Sequence, residues 1–440
     1  MPEFRRPKSE ADFHKNFEQI KPLMSKTEAN QESGRCLFCY DAPCVKACPT
    51  SIDIPLFIRQ INNGNLSGSA KTIYAANYFG RICGNVCPTE VLCEGACVFE
   101  KQNIRPIDIG RLQTYATYNS IRNNKKHFEL AADNGKKVAI IGAGPAGISC
   151  ACELRKLGFT VDIFEAKSQP SGLTIYGVAP YKITNEDVLE EVAYLQEQFQ
   201  FKIHYNSAIQ SKKDLARLDS EYDAIFLGIG LGSTSGIGIK GENLDNCIGA
   251  VEFIENMKME KHDTKIGKNV IVLGGGNTAM DAASEAARLG AETVMLCYRR
   301  SKIEMRAYWF EYDLAKSVGT RGVFNAAPLE IIGTSHVEGV KFAQTEIIDG
   351  KVKILPGSEF IKPCDMVIKA TGQETQVNLL NQIDKIKLDK NGCISINLET
   401  GQTTNPKYFA GGDAINGGKE VVNAAADGKK AATGINQFLQ

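Results

Sequence analysis

Eight cysteines lie in the first quarter of the chain, in two runs that each contain a Cys-Pro pair. The runs read Cys36-x2-Cys39-x4-Cys44-x3-Cys48-Pro49 and Cys83-x3-Cys87-Pro88-x5-Cys93-x3-Cys97. Such spacing suits 4Fe–4S clusters, because soft thiolates hold iron and the cysteine before a proline often serves a second cluster. The chemistry that these residues predict is the transfer of single electrons.

Zinc and disulfide bonds are the alternatives for these thiols. Zinc stays open, since Cys-x2-Cys also suits a tetrahedral zinc site. Disulfides are disfavoured, because no positively charged segment followed by an apolar run marks the chain for export, and thiols in a reducing cytoplasm tend to bind metals. The remaining cysteines are scattered and are interpreted as small buried hydrophobes: Cys150, Cys152, Cys247, Cys297, Cys364 and Cys393.

Composition excludes several classes of function. The chain has 440 residues with 51 basic and 51 acidic side chains, and its formal net charge of zero gives no electrostatic attraction for nucleic acid or an anionic membrane. No segment approaches the roughly 18 consecutive apolar residues of a membrane span. The length suggests about two to four domains, and we expect a cytoplasmic protein that binds neither nucleic acid nor membrane.

The elements that must hold the thiols are predicted to be helices. Residues 1–130 are rich in helices and loops, with amphipathic stretches at Pro55–Asn62 and Ser69–Ala76 and a helix at Ile109–Arg122. A polar linker, Ala131–Lys137, then leads into sequence of a different kind.

A dinucleotide motif follows this linker. The strand-like run Val138–Ile141 leads into Gly142-Ala143-Gly144-Pro145-Ala146-Gly147, a helix to Leu157, and the strand Thr160–Phe164, which Glu165 closes. The first glycine permits a tight turn, the second lets the backbone approach a pyrophosphate, and the third lets the helix pack on the strand. We predict that Glu165 accepts hydrogen bonds from ribose hydroxyls; the alternative is a solvated charge at the end of a strand.

The pattern then recurs. Val270–Leu273 leads into Gly274-Gly275-Gly276-Asn277-Thr278-Ala279, and the next strand, Thr293–Tyr298, ends in Arg299-Arg300 instead of an acid. Two guanidinium groups suit the 2′-phosphate of NADP, and Arg306 is a third candidate for that clamp. The alternative is a solvated basic turn, with NAD as the cofactor.

Later segments complete two nucleotide domains. Met366–Thr371 and Gly372 predict a strand that enters a tight turn, as at a crossover between such domains. Tyr408–Ala410 predicts a strand that ends in Gly411-Gly412-Asp413, and Val421–Gln437 predicts a final helix.

The fold class that follows is α+β and multidomain. An N-terminal α-helical iron–sulfur domain, residues 1–130, precedes two Rossmann-like α/β nucleotide-binding domains. The FAD domain, residues 131–257 and 370–440, is split by the inserted NAD(P)H domain, residues 258–369.

Several stretches resemble one known family. Arg35-Cys36-Leu37-Phe38-Cys39-Tyr40-Asp41-Ala42-Pro43-Cys44, the run Cys83–Cys97 and Pro106–Gln113 are similar to the NAD(P)H-oxidising flavin and iron–sulfur subunits of bacterial dihydropyrimidine dehydrogenases. The broader group includes the small subunit of glutamate synthase, and the resemblance covers nearly the whole chain. The long second cysteine run, with Pro88-Thr89 and Leu92-Cys93, resembles the pyrimidine enzymes more than the glutamate synthase subunit.

The resemblance implies two 4Fe–4S clusters. One would be held by Cys36, Cys39, Cys44 and Cys97, and the other by Cys48, Cys87, Cys93 and Gln113. A count of thiols alone would choose Cys83 as the eighth ligand, so Cys83 and Gln113 are rival candidates. A neutral amide in place of a thiolate would change the charge of the cluster and hence its reduction potential.

The resemblance also implies the nucleotide contacts. For FAD these are the turn 143–147 with Glu165, Gly172, Leu173, Lys182, Gly412 and Asp413. For NADPH they are Gly275, Gly276, Asn277, Thr278, Arg299, Arg300 and Arg306, with Ala370, Thr371 and Gly372 at the crossover. The chain departs from the family at Ser171, Lys182 and Thr184, where Gly, Arg and Pro are usual; lysine lacks the planar fork of arginine. Some bacterial members use NADH and have an acid where this chain has Arg299-Arg300.

The expected function is electron input. NADPH, or alternatively NADH, would give a hydride to FAD, and single electrons would pass through the clusters to a partner subunit. The resemblance implies that this partner contains FMN and reduces uracil or thymine, since no sequence for an FMN barrel remains. No catalytic side chain is predicted, because no acid–base or nucleophile motif is present and the cofactors carry the chemistry.

Other functions stay open. A glutamate synthase-like or ferredoxin-linked NADPH oxidoreductase module is the main alternative, and a redox sensor without turnover is another. A thiol–disulfide reductase is disfavoured, because neither nucleotide domain contains Cys-x2-Cys.

Overall fold

The structure is a computed structural model that describes residues 4–440, which divide into two compact units. The inserted unit consists of the described residues as far as Glu18, with Tyr176–Tyr181 and Gly232–Glu374. The main unit consists of Gln19–Ile175, Lys182–Leu231 and Thr375–Gln440. None of the helices in the described part of the chain combines the length and the apolar character needed to cross a bilayer.

The described residues before the first strand form helices and loops, as predicted, and strands and helices follow them. Residues 4–130 contain the α-helices α1 (Glu10–Asn16), α2 (Lys26–Gly34), α3 (Pro43–Ala47), α4 (Ile54–Asn62), α5 (Leu66–Ala76), α6 (Gly80–Val86) and α7 (Ile109–Arg122). Residues 131–231 contain β1 (Lys137–Ile141), α8 (Pro145–Lys156), β2 (Thr160–Phe164), α9 (Leu173–Tyr176), α10 (Asn185–Phe199), β3 (Lys202–His204), α11 (Lys212–Glu221) and β4 (Ala224–Leu227).

The remaining elements follow in the same order along the chain. Residues 232–374 contain β5 (Cys247–Gly249), α12 (Ala250–Glu260), β6 (Asn269–Leu273), α13 (Asn277–Arg288), β7 (Thr293–Tyr298), α14 (Trp309–Ser317), β8 (Arg321–Phe324), β9 (Ala326–Ile332), β10 (Gly339–Ile348), β11 (Lys351–Pro363) and β12 (Met366–Lys369). Residues 375–440 contain α15 (Val377–Leu380), β13 (Tyr408–Ala410), α16 (Asp413–Asn416) and α17 (Val421–Leu439).

The helices around the cysteines share one apolar core in the main unit. Asp53 starts α4 by accepting a hydrogen bond from Leu56 N at 3.1 Å. The helix then buries Ile54, Phe57, Ile58 and Ile61 in a core that also includes Leu112 of α7. This core holds the loops that carry both cysteine runs.

A parallel sheet with the strand order β13-β4-β1-β2-β3 forms the rest of the main unit. Ile141 at the end of β1 lies opposite Phe164 of β2 and Leu227 of β4. Strand β13 comes from the end of the chain and pairs Ala410 with Leu227. Because the strands are parallel, the segments that follow β1, β2, β4 and β13 meet at one edge.

The inserted unit contains a second parallel sheet, with the order β5-β12-β6-β7-β8. Leu273 at the end of β6 lies opposite Lys369 of β12 and Cys297 of β7. The predicted fold class is confirmed, since helices precede two Rossmann-like sheets and β13 returns to the first sheet after the second is complete. The domain limits at 257 and 370 stay predictions; the compact units change at residues 232 and 375, because β5 already pairs with β12.

An antiparallel sheet with the order β11-β10-β9 is an addition that the sequence analysis did not predict. Its long hairpin turns at Asp349-Gly350, whose φ angles of 52° and 72° are both left-handed. Asp-Gly is a frequent choice for such a two-residue turn.

Candidate functional site

Four cysteines line one cavity in the main unit. Cys36, Cys39, Cys44 and Cys97 come from both cysteine runs and border a cavity of about 380 Å³, which includes space open to solvent. The other side chains of the lining are apolar, among them Ile54 and Ile58 of α4. The structure thus brings together the four residues that the resemblance assigns to one cluster.

The surroundings of two of these thiols, Cys36 and Cys44, favour the protonated form. Burial raises the pKa of Cys36, and it raises the pKa of Cys44 to about 12; neighbouring thiols add to both shifts. A bound metal centre reverses this preference, because it binds thiolates and releases their protons.

A cluster and a single zinc ion need different arrangements of thiols. Among residues 4–440, no group of three or more Cys, His, Asp or Glu side chains is arranged to bind one metal ion. Zinc requires sulfurs about 2.3 Å from a single centre, whereas each thiolate of an iron–sulfur cluster binds a different iron. Four soft thiols and an apolar lining are the donor set and surroundings that suit an iron–sulfur cluster.

A second group of thiols lies beside the first. The pKa of Cys87 is raised by a hydrogen bond with Cys83, by burial and by the nearby thiols of Cys93 and Cys48. The pKa of Cys93 is raised mainly by burial, with contributions from Cys48 and Cys44. Because Cys44 lines the cavity of the first group, the two groups are neighbours.

The two candidates for the eighth ligand are both associated with α6. Cys83 lies within α6, is 2% exposed, and its carbonyl oxygen accepts a hydrogen bond from Cys87 N at 3.0 Å. Gln113 lies on α7, is 6% exposed, and donates from Nε2 to the carbonyl oxygen of Gly80 at 2.6 Å. This contact engages the amide nitrogen of Gln113, so Oε1 is the atom that could bind a metal.

The glycine turn after β1 has the packing that a dinucleotide site needs. Gly142 has a φ of +98°, and a methyl group at Gly147 would lie only 2.0 Å from the carbonyl oxygen of Gly142. At Gly144 a methyl group would approach nothing closer than the carbonyl oxygen of Gly228, at 3.9 Å. Helix α8 begins at Pro145 without a side-chain cap, so its first N–H groups and the space over Gly144 fit a phosphate.

Glu165 holds this turn from the end of β2. Its Oε2 accepts a hydrogen bond from Ala143 N at 2.7 Å, and its Oε1 accepts one from Lys167 N at 2.8 Å. The side chain is 8% exposed, so the carboxylate is a buried group with a fixed orientation. Each oxygen keeps a second lone pair that could accept a hydrogen bond from a ribose hydroxyl.

The end of the chain returns to the same sheet edge. Gly412, which follows β13, has a φ of +71°, and a methyl group there would lie 3.1 Å from Cβ of Ala146. The backbone N–H of Gly412 donates to Oδ2 of Asp427 at 3.2 Å. Burial raises the pKa values of Asp413 and Asp427, and the charge of Asp427 adds to the shift at Asp413.

The segment after β2 passes next to the turn. Ser171 N donates to the carbonyl oxygen of Ala143 at 2.6 Å, and a methyl group at Gly172 would lie 3.3 Å from Cα of Gly144. Ser171 replaces a family glycine and keeps a left-handed φ of +77°. Leu173 is 36% exposed, and Lys182 is partly buried.

The second glycine turn, in the inserted unit, has a similar arrangement. A methyl group at Gly274 would lie 2.3 Å from the carbonyl oxygen of Ala370, and one at Gly275 would lie 2.6 Å from the ring of Tyr298. Gly276 has open space around its α-carbon, and α13 begins after it without a side-chain cap. This turn also fits a phosphate at a helix N-terminus.

The loop after β7 is attached to this turn. The backbone N–H groups of Arg306 and Ala307 donate to the carbonyl oxygen of Gly275 at 3.0 and 2.9 Å. Oδ1 of Asn277, the first residue of α13, accepts a hydrogen bond from Tyr308 N at 3.0 Å. Thr278 follows on α13 and is exposed.

Three arginines border this loop. Arg299 and Arg306 are exposed and Arg300 is partly buried. None of them forms an ion pair with a carboxylate of the described residues. Their guanidinium groups are therefore available to an external anion.

The crossover residues lie at the same edge of the second sheet. Ala370 N donates to the carbonyl oxygen of Leu273 at 2.8 Å, and Thr371 Oγ1 donates to the carbonyl oxygen of Ser235 at 2.9 Å. Gly372 has a left-handed φ of +104°.

The sequence analysis missed buried charged residues of the main unit. Asp427 contacts Gly412, in the segment that follows β13. The one feature of the sequence that could have marked Asp427 is the next residue, Gly428, where a methyl group would lie 2.1 Å from the carbonyl oxygen of Ala146. Glu191 and Arg81 are buried on α10 and α6, and no motif marks them because their partners are far away in sequence.

Two family models match the chain. The model described as dihydropyrimidine dehydrogenase domain II, 4Fe-4S cluster, matches residues 13–125. The model described as pyridine nucleotide-disulphide oxidoreductase matches residues 136–428, which is more than half of the chain.

Curated relatives match over almost the full length. The glutamate synthase (NADPH) small chain of Escherichia coli K12 is 34% identical and covers 96% of this chain and 94% of its own. The NAD-dependent dihydropyrimidine dehydrogenase subunit PreT of Escherichia coli K12 is 31% identical and covers 96% and 97%. A third relative, the NADP(+)-dependent formate dehydrogenase subunit beta of Moorella thermoacetica, is 32% identical and covers 91% and 60%.

Solved structures share the fold of about two thirds of the chain. Mycobacterium tuberculosis FprA in complex with NADPH has a TM-score of 0.58 at 19% identity and covers 69% of this chain and 84% of its own. Thioredoxin reductase of T. acidophilum has a TM-score of 0.54 at 22% identity and covers 69% and 98%.

The comparisons agree with the geometry of the site. The glutamate synthase and dihydropyrimidine dehydrogenase relatives match to a similar degree, so the shared description is the coarser one. The chain belongs to the pyridine nucleotide-disulphide oxidoreductase family and is an NAD(P)H-dependent flavin oxidoreductase with an N-terminal iron–sulfur domain.

Proposed function

We propose that the chain is the electron-input subunit of a larger enzyme, with FAD, two 4Fe–4S clusters and a preference for NADPH. One observation carries this proposal. The thiol cavity, the second thiol group and the glycine turn after β1, which would bind FAD, belong to one compact unit. An enzyme that oxidised NAD(P)H for use at the flavin alone would not need thiols in that unit.

Each cofactor has a set of residues that would hold it. Cys36, Cys39, Cys44 and Cys97 would bind one cluster, and Cys48, Cys87 and Cys93 with Gln113 or Cys83 would bind the other. Bound FAD would supply the conversion of one hydride into two single electrons, which leave towards the clusters, and one proton, which is released to solvent.

The residues of the chain bind and orient these groups. The uncapped N-terminus of α8 would hold the pyrophosphate of FAD, and Glu165 would accept hydrogen bonds from its ribose. Asp413 would face the ribitol from the end of β13. Lys182 would replace a family arginine near the flavin, as a point charge without a planar fork.

The preference for NADPH rests on the arginine loop. Arg299, Arg300 and Arg306 lack carboxylate partners among the described residues, and the backbone at Arg306 is fixed to Gly275. A 2′-phosphate would meet this unpaired positive charge, whereas the 2′-hydroxyl of NADH would leave it unused.

The partner is proposed from the relatives. Subunit PreT is named as part of an NAD-dependent dihydropyrimidine dehydrogenase, and it is 31% identical over 96% of this chain. By that likeness, the electrons would go to an FMN-containing subunit that reduces uracil or thymine to the 5,6-dihydropyrimidine. The second candidate is a partner of the glutamate synthase type, favoured by the 34% identity to that small chain.

Anaerobic reduction of the loaded chain tests the proposal. The purified protein with FAD and iron is mixed with NADPH or NADH in a stopped-flow instrument, and flavin absorbance is recorded. Rapid bleaching that is faster with NADPH is expected. Absence of bleaching with either nucleotide would contradict electron input, and equal rates would contradict the preference for NADPH.

Reconstitution tests the partner. The isolated chain is expected not to reduce uracil with NADPH, and addition of an FMN-containing pyrimidine-reducing subunit is expected to start the reaction. If a glutamate synthase large subunit accepts electrons from the NADPH-reduced chain instead, the second candidate is correct.

A further inference from the structure

We propose that Glu191 and Arg81 are positioning residues. They hold the second thiol group in place against the part of the main unit that would bind FAD. The inference rests on the proposed function, since it concerns electron transfer from the flavin to a cluster. It is carried by buried contacts between α10 and the first turn of α6.

The carboxylate of Glu191 binds the start of α6. It is 0% exposed. Its Oε1 accepts hydrogen bonds from Arg81 N at 2.7 Å and from the Tyr74 hydroxyl at 3.0 Å, and its Oε2 accepts one from Ile82 N at 2.8 Å. No side chain of α6 caps this helix, so a residue of α10 satisfies the N–H groups at its start.

The side chain of Arg81 makes the reciprocal contact. It is buried and forms ion pairs with Asp187 and Glu190, which precede Glu191 on α10. Its guanidinium carbon also lies 5.1 Å from the ring centre of Tyr118 on α7. Residue 81 is therefore fixed to α10 through both its backbone and its side chain.

The fixed turn carries the thiols. Cys83 follows Ile82 directly, and Cys87 comes immediately after the end of α6. The carbonyl oxygen of Gly80 accepts the hydrogen bond from Gln113. Both candidates for the eighth ligand therefore depend on the turn that Glu191 and Arg81 hold.

Helix α10 is in turn attached to α8, the helix that follows the glycine turn after β1. Arg155 of α8 donates from Nε to the carbonyl oxygen of Phe199 at the end of α10, at 2.9 Å, and from a terminal nitrogen to that of Phe159 at 2.7 Å. Helix α8 begins at the turn proposed for the FAD pyrophosphate. Packed elements of one compact unit thus connect that turn, through α8, α10 and α6, to Cys83.

The chemistry of the contact argues for a specific role. Burial of a carboxylate and a guanidinium in a protein interior is costly, and apolar residues of similar size often stabilise a fold as well or better. A network with directed hydrogen bonds instead specifies one position of α6 relative to α10. A shift of α6 would change the distance between the flavin and the second thiol group, and the rate of electron transfer falls steeply with distance.

The test separates hydride input from the later transfer. Glu191→Ala and wild type are loaded with FAD and iron and reduced with NADPH without oxygen. Flavin bleaching is followed by stopped flow, and cluster reduction by freeze-quench electron paramagnetic resonance. We expect an unchanged rate of flavin bleaching in the variant, and cluster reduction slower by about tenfold or more.

Matched variants give the controls. Glu197→Ala removes an exposed carboxylate from the same helix and is expected to behave as wild type. Glu191→Gln keeps one acceptor oxygen and is expected to restore part of the rate. Should Glu191→Ala bind less iron, Arg81→Lys, which keeps the charge without the fork, is measured in the same way.

The outcomes distinguish this inference from the proposed function. Cluster reduction at the wild-type rate in Glu191→Ala overturns the positioning role. If Glu191→Ala has lost iron, the same result in Arg81→Lys overturns it. Equal slowing in Glu197→Ala overturns it as well. If wild type itself shows no flavin bleaching or no cluster reduction with NADPH, the proposed function fails instead.

Discussion

Glu165 Oε2 accepts a hydrogen bond from the backbone N–H of Ala143 at 2.7 Å, which fixes the end of β2 to the glycine turn after β1. Glu165→Ala would leave this buried N–H without a partner, at a cost of about 1–3 kcal/mol. We expect FAD to bind roughly 5- to 150-fold more weakly, which flavin fluorescence titration would measure. Glu165→Gln keeps an acceptor and should lose much less. Equal affinities in the alanine variant and wild type would contradict the assignment.

The glycines of this turn should respond differently to one added methyl group. At Gly147 the methyl would lie 2.0 Å from the carbonyl oxygen of Gly142, so Gly147→Ala should lower the melting temperature of the protein without flavin. At Gly144 it would meet only Gly228, at 3.9 Å, so Gly144→Ala should melt normally and yet retain little FAD. A Gly144→Ala protein with full flavin content would show that the pyrophosphate lies elsewhere.

The arginine loop should control the choice of nucleotide. For Arg306→Ala we expect kcat/KM with NADPH to fall roughly 10- to 150-fold, since a charge-assisted hydrogen bond contributes about 1.5–3 kcal/mol, while kcat/KM with NADH stays nearly constant. Lys302→Ala removes an exposed cation from the same loop and serves as the control. A similar loss with both nucleotides would assign Arg306 to the fold of the loop instead.

The eighth cluster ligand can be identified by iron analysis. Two 4Fe–4S clusters correspond to about eight iron atoms per chain, and loss of one cluster would leave about four. If Gln113 is the ligand, Gln113→Ala should lower the iron content or change the paramagnetic resonance of one cluster, while Cys83→Ala should leave both unchanged. The reverse result would assign the role to Cys83.

Stability should depend on pH through Glu191. Burial raises its pKa from an ordinary value of 4.5 to about 7, against the hydrogen bonds from Arg81, Ile82 and Tyr74, which lower it. The folded protein therefore binds a proton more tightly than the unfolded chain. The contribution of Glu191 to the free energy of unfolding is therefore fully present below pH 4.5. It falls by about 3 kcal/mol as the pH rises to 7.

Glu191→Gln isolates this effect, because the amide does not titrate. The difference in unfolding free energy between the variant and wild type should grow in favour of the variant between pH 5 and pH 8. Urea unfolding of the protein without cofactors, at a series of pH values, measures it. A difference that stays constant over this range would contradict the raised pKa.

The local motifs could be read from the sequence because each depends on neighbouring residues. The helix Ile109–Arg122 and the strands Thr160–Phe164 and Thr293–Tyr298 are confirmed at both ends, since their apolar periodicity and flanking polar residues decide them locally. The hairpin of β10 and β11 was missed, although Asp349-Gly350 was a usable signal.

The sequence by itself determined which residue types were available: thiols in two runs, two glycine turns, and arginines where an acid is usual. Only the tertiary structure decided which of them meet. It brings Cys97 to the cavity of Cys36, packs Gly412 against Ala146, and buries Glu191 at the start of α6. The physical reason is that these contacts join residues far apart in the chain. Such contacts depend on strand order, helix packing and burial, and no local pattern records them.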